Sequence, residues 1–104
     1  MGMSLDERVR ATMAALLYAT GESQTDLAAA LGVSQAQVSR RQSATATWSL
    51  SDCDAVAAHY GIDVLDLLAG PTRATESLSA DRRRAPGRHA NAARVAVVQD
   101  GETR

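Results

Sequence analysis

A chain of 104 residues with a formal net charge of −1 allows one small domain. Its scarce aromatics (Tyr18, Trp48 and Tyr60, with no Phe) leave Leu, Val, Ala and Met to build a core of closely packed helices. Cys53 stands alone, which excludes a disulfide framework and a cysteine-based zinc site, and no apolar run approaches membrane length, Met13–Leu17 being far too short. No secretory signal is visible, so the expected location is the cytoplasm.

Five helix starts share one chemistry. Ser4…Glu7, Ser23…Asp26, Ser34…Gln37, Ser51…Asp54 and Asp63…Asp66 each place a capping residue three positions before an acid or amide. An apolar helical pattern follows each of them, and the expectation is an all-α fold with a five-helix domain. The first helix is predicted from about Leu5 to Thr20, with Leu5, Val9, Met13, Leu16 and Leu17 on one face and a stop at Gly21. The second spans Gln24–Leu31 and the third Gln35–Gln42. The small hydroxyl residues of Ser43-Ala-Thr-Ala-Thr-Trp48 then form a loop that Trp48 anchors to the core. The fourth helix is predicted over Asp52–Tyr60, with Cys53, Val56, Ala57 and Tyr60 inward, and the fifth over Val64–Ala69, packing Leu65 or Val64 with Leu67 and Leu68. Gly70-Pro71 ends it.

After Pro71 the composition changes. Residues 72–92 are Arg, Ala, Ser, Thr, Pro and Gly with almost no large apolar groups, so two segments are expected: a domain over 1–70 and a flexible Arg-rich tail over 71–104. Asp81-Arg-Arg-Arg-Ala85 has the composition of a transient helix, and Arg82–Arg84 that of a solvated linker adding non-specific affinity for polyanions. Arg94-Val-Ala-Val-Val98 is the one apolar run of the tail, and a strand, a dimer contact or a frayed end are equally open to it. Charge divides along the same line: residues 1–70 carry four arginines against eight acids, and residues 71–104 seven against four. The acids of the first segment fall mostly in first helical turns, where they complement the helix dipole. Every basic side chain is Arg and none is Lys, which with the heavy Ala content suggests a GC-rich coding sequence.

The most telling stretch is Gln24–Arg41. It reads as two short helices joined by a tight turn, with Leu27, Leu31, Val33 and Val38 apolar. Ala28 is small where the helices cross, and Gly32 sits where the chain must reverse through a left-handed residue. Ser34 with Gln37 caps the second helix, whose exposed residues are Gln35, Ala36, Ser39 and Arg40. Gln and Arg are the side chains that pair bidentately with adenine and guanine edges.

In these features the segment resembles the helix-turn-helix of the lambda-repressor/Cro-like (XRE-type) DNA-binding family, and the resemblance extends over roughly residues 4–70 through Trp48-Ser-Leu and Ala57-Ala-His-Tyr-Gly-Ile. It implies base contacts from Gln35, Ala36 and Arg40. It implies backbone contacts from Gln24, Thr25, Ser34, Gln37, Ser39, Arg41, Thr45 and Thr47, with Gln24 also bracing the recognition helix. Arg41 departs from the family pattern, which buries Ile or Leu there. Either the core closes differently at this point or Arg41 has become a further phosphate contact.

The expected partner is therefore a double-stranded DNA operator, met by a weak homodimer or by protomers that pair on DNA. No cofactor, metal, membrane or small-molecule ligand is expected. The expected role is a repressor that occludes its operator, resembling a temperate-phage immunity repressor or Cro-like protein of an actinobacterial phage. A bacterial XRE-type regulator, an antitoxin, and a protein-interaction module without specific DNA binding are the alternatives. Enzyme readings fare badly. His59 falls within the fourth helix, Asp52, Cys53 and Asp54 are adjacent and so diverge around it, and no Gly-rich phosphate loop follows a strand.

Overall fold

Serine caps decide where most of these helices begin. The computed structural model describes residues 2–84, which form α1 (Leu5–Thr20), α2 (Gln24–Leu31), α3 (Gln35–Gln42), α4 (Leu50–Tyr60), α5 (Val64–Ala69) and α6 (Pro71–Glu76), then one 3-10 turn at Ala80–Arg82. Ser4, Ser23, Ser34 and Ser49 each accept from the backbone N–H three residues on, and Glu7, Asp26, Gln37 and Asp52 reach back to the cap's own N–H. Asp63 caps α5 by accepting from the Leu65 N–H at 2.8 Å. No strand occurs among the described residues, so the fold is all-helical as expected.

The start of α4 differs from expectation. Its cap is Ser49 with Asp52, two residues before the predicted Ser51 with Asp54. Both pairs have the right spacing, and the flanking apolar residues choose between them. With Ser49 as cap, Trp48 and Cys53 take the positions of a hydrophobic staple, and both are buried. With Ser51 as cap the same positions would fall to Leu50 and Ala55, which are exposed.

One core unites all six helices. Val9, Met13 and Leu16 of α1 meet Leu27 and Ala28 of α2, Val38 of α3, the inward face of α4, Leu67 of α5 and Ala74 of α6. One expected core position is corrected, and the choice left open on α5 falls to Val64. Leu5 is more than half exposed and Thr12 is buried instead, its hydroxyl donating to the Arg8 carbonyl at 2.8 Å. On α5, Val64, Leu67 and Leu68 face inward and Leu65 faces solvent.

The largest correction lies past Gly70. Residues 71–84 pack on the domain, so neither a five-helix count nor a flexible segment starting at residue 71 holds for them. Gly70 adopts φ 126°, which L side chains rarely tolerate, and Pro71 then opens α6 at the first helical position, where its missing N–H costs nothing. Proline here begins a helix as well as ending one. α6 lies along α1 and α5 and buries Ala74, and Leu78 follows it into the core. Asp66 receives Arg73 Nε at 2.9 Å and the Ser77 hydroxyl at 2.8 Å, which ties α6 to α5.

Arg82–Arg84 then fasten the chain. Arg82 donates to the His59 carbonyl at 2.7 Å and lies 3.5 Å from the Glu22 carboxylate. Arg83 donates to the carbonyls of Thr75 and Glu76, and the Arg84 backbone N–H to that of Ala19 at 2.7 Å. Arg82 and Arg84 also stack over the rings of Tyr60 and Tyr18. The expectations for Val95–Val98 and for the rest of residues 85–104 lie outside the described residues. Among the described residues no helix is long and apolar enough to cross a membrane.

Candidate nucleic-acid interface

The α2–α3 unit is built as a tight turn around a small contact. Gly32 at φ 74° ends α2, and the Val33 N–H donates back to the Ala28 carbonyl at 3.0 Å. Ala28 and Val38 are buried at the crossing, which fixes the two helices against each other and leaves the far face of α3 in solvent. On that face Gln35, Ala36 and Arg40 are exposed and Ser39 is half-buried beside them. Ala36 and Arg40 stand one turn apart, as do Gln35 and Ser39.

Across the top of the turn Gln35 Nε2 donates to Gln24 Oε1 at 2.9 Å. The bond joins the first residue of α2 to the first residue of α3 and limits how Gln35 is presented. Ser34 and Gln37, both expected at the DNA backbone, form the capping box: the Gln37 N–H donates to Ser34 Oγ and the Ser34 N–H to Gln37 Oε1. Thr25, Thr45 and Thr47 are exposed. The Thr45 and Ala46 N–H groups and the Ser43 hydroxyl all converge on the Arg40 carbonyl, so the loop after α3 is wound against its last turn, with Ala44 at φ 69°.

Arg40 and Arg41 differ sharply. Arg40 makes no side-chain hydrogen bond or ion pair among the described residues and is open to solvent. Arg41 Nε donates to Asp52 Oδ2 at 3.0 Å, and its guanidinium lies 5.7 Å from the centre of the Trp48 ring. At this position an ion pair and an aromatic face hold the guanidinium against the start of α4.

Sequence reasoning missed two further residues that hold this surface. Gln42 Nε2 donates to the Arg10 carbonyl at 3.1 Å, and Gln42 Oε1 accepts from Trp48 Nε1 at 2.9 Å, so one amide links α3, α1 and the loop anchor. Glu22, just before α2, accepts from the Tyr60 hydroxyl at 3.2 Å and lies 3.0 Å from His59 Nε2. Burial and then the Glu22 carboxylate push the Tyr60 phenol well above its ordinary range. His59 is thus held by a carboxylate at the core edge. A helical pattern signals burial, and nothing in it reports a polar side chain that spans two elements.

No curated protein and no solved structure matches the chain. Residues 4–46 match the model of the homeodomain-like domain family, less than half of the chain but all of α1, α2 and α3. That match and this geometry support a helix-turn-helix of the kind that DNA-binding families share.

Proposed function

We propose that the chain is a sequence-specific transcriptional repressor in which α3 enters the major groove and the bound protein blocks polymerase at an operator. One observation carries this reading: an exposed Gln35–Ala36–Arg40 face, with Gln35 braced by Gln24 and with Arg40 left unneutralised at the end of the same helix. Gln35 and Arg40 read base edges, and Ala36 lies against a thymine methyl. Gln24, Thr25, Ser39, Thr45 and Thr47 meet the backbone. Ser34 and Gln37, committed to the cap, contribute through the helix terminus they stabilise, and Arg41 acts on the loop rather than on phosphate. The likeness to XRE-type repressors and the all-Arg, Ala-rich composition favour a phage immunity repressor or Cro-like protein working in a bacterial cytoplasm.

One recognition helix reads about four base pairs, too few to define a site in a genome, so protomers pair on inverted half-sites about one helical turn apart. Footprinting on the intergenic DNA beside the gene tests the reading. On the protected site, Gln35→Ala and Arg40→Ala are each expected to cost about 1–3 kcal/mol, and much less on random DNA. Equal losses on both DNAs reassign these residues to the backbone, and no loss on either overturns the proposal.

A further inference from the structure

α3 puts a single side chain into the core, Val38. Apolar burial is non-directional, so it holds the helix on the domain without fixing how far the helix is turned about its own axis. Gln42, one turn after Val38 on the same face, supplies the missing constraint. Its Nε2 donates to the Arg10 carbonyl in α1 at 3.1 Å, and its Oε1 accepts from Trp48 Nε1 at 2.9 Å. Both bonds carry angular demands that packed methyl groups lack. Trp48 is only 6% exposed, so its indole N–H is costly to leave without an acceptor. Among side chains of this length, Gln donates at one tip atom and accepts at the other, whereas ionised Glu lacks the donor and Met offers only a weakly accepting sulfur.

Resting on the reading that α3 meets base edges, we propose that Gln42 is the positioning residue of that face, its one amide setting both the rotation of α3 on α1 and the path of the loop to Trp48. Arg40 lies two residues before Gln42, roughly 200° around the helix, so any turning of α3 swings Arg40 across the surface. Gln35 and Ala36 move with it, because all three side chains stand on one helix. The same amide closes the loop. Gln42 stands at its start and Trp48 at its end, and the bond between them pins the stretch that carries Thr45 and Thr47. The groups assigned to bases and those assigned to phosphates are thereby held in one frame, and a recognition constellation tolerates only about 0.5 Å and 10–20° of play. The Arg41–Asp52 pair braces the same turn, but against α4 and not against α1. Loss of the Gln42 amide therefore degrades discrimination between sequences more than affinity for DNA as such.

Gln42→Met fills the space and removes both bonds, and Gln42→Glu keeps an acceptor for Trp48 while removing the donor to Arg10. The first arm uses the full chain without DNA. Hydrogen exchange followed by NMR should show the Trp48 indole N–H, and the Thr45 and Ala46 amides that donate to the Arg40 carbonyl, exchanging at least about tenfold faster in Gln42→Met than in the wild type. In Gln42→Glu the indole N–H should stay protected. The second arm compares affinity for the operator with affinity for random DNA, at a temperature where each protein is folded. That ratio should fall about tenfold in Gln42→Met and by less in Gln42→Glu. Leu78→Val, which loosens the core beyond α6, should leave the ratio unchanged. Undiminished protection of the loop and the indole in Gln42→Met overturns the proposal. So does a ratio unchanged in both Gln42 variants, or one that Leu78→Val lowers equally. A wild type without preference for any DNA sequence removes the repressor reading instead, and the exchange arm then still decides whether Gln42 holds α3 and its loop.

Discussion

Arg40 and Arg41 are neighbours on α3, about 100° apart around the helix, and that angle decides what each side chain does. Arg40 points to solvent, whereas Arg41 is folded back between Asp52 and Trp48. A half-buried ion pair of this kind is replaceable by an apolar side chain of similar size, while truncation leaves both a gap and a carboxylate without its partner. Arg41→Leu is therefore expected to alter stability by less than about 1 kcal/mol, and Arg41→Ala to cost about 1–2 kcal/mol, both read from urea unfolding. A comparable loss for both would mean that the charge itself, rather than the filled space, holds the loop. Cys53 gives a second test at this scale. Burial first, then the adjacent Asp52 and Asp54, push its thiol up, and the side chain is almost wholly covered. Alkylation at pH 8 should accordingly be slow in the folded chain and track global unfolding as urea is added. Rapid labelling under native conditions would show that the core opens locally around α4.

At the scale of elements, what the sequence made legible followed its capping chemistry. α1, α2, α3 and α5 begin where serine or aspartate caps put them, α1, α2 and α5 end at the following glycines, and the α2–α3 turn was readable from Ala28, Gly32 and Val38. The solvent-facing side of α3 was legible for the same reason. α6 was not, because its packing rests on Ala74 and Leu78 against a closely approaching α1, and a pattern with so few large apolar residues reads as solvated. Removing residues 71–104 should thus lower thermal stability sharply, against the expectation from composition, and Leu78→Ala should cost about 2–5 kcal/mol. An unchanged melting temperature in both would show that α6 only rests on the surface. The tie between α5 and α6 also carries a pH signature. The hydrogen bonds from Arg73 and Ser77 hold the Asp66 carboxyl below the usual carboxylate range. An acid whose folded value is depressed stabilises fully above its unfolded value and loses that contribution as pH falls through the folded one. Asp66→Asn should melt below the wild type at pH 7, and the difference should close as the pH drops beneath the ordinary aspartate range. A constant difference across pH would assign the effect to shape instead of charge.

At the scale of the whole molecule, a net charge of −1 gives DNA no long-range attraction to this chain. Several arginines that composition alone would assign to phosphate are used elsewhere: Arg10 pairs with Asp6, Arg41 with Asp52, Arg73 with Asp66 and Arg82 with Glu22, while Arg83 serves backbone carbonyls. Arg40 is the exposed cation of the recognition helix without such a partner among the described residues. Counterion release follows only from cations that actually meet phosphate or the charged groove, each contributing roughly −0.9 to the slope of log K against log salt concentration. Arg40→Ala should therefore flatten that slope by about one per protomer, whereas Arg41→Ala and Arg83→Gln should leave it unchanged. The measurement is a binding titration on one operator fragment over a series of salt concentrations, with the four proteins in parallel. Equal flattening by Arg41→Ala would place that guanidinium at a phosphate despite its hold on Asp52, and an unaltered slope for Arg40→Ala would remove the one cation on which the electrostatics of this reading face depend.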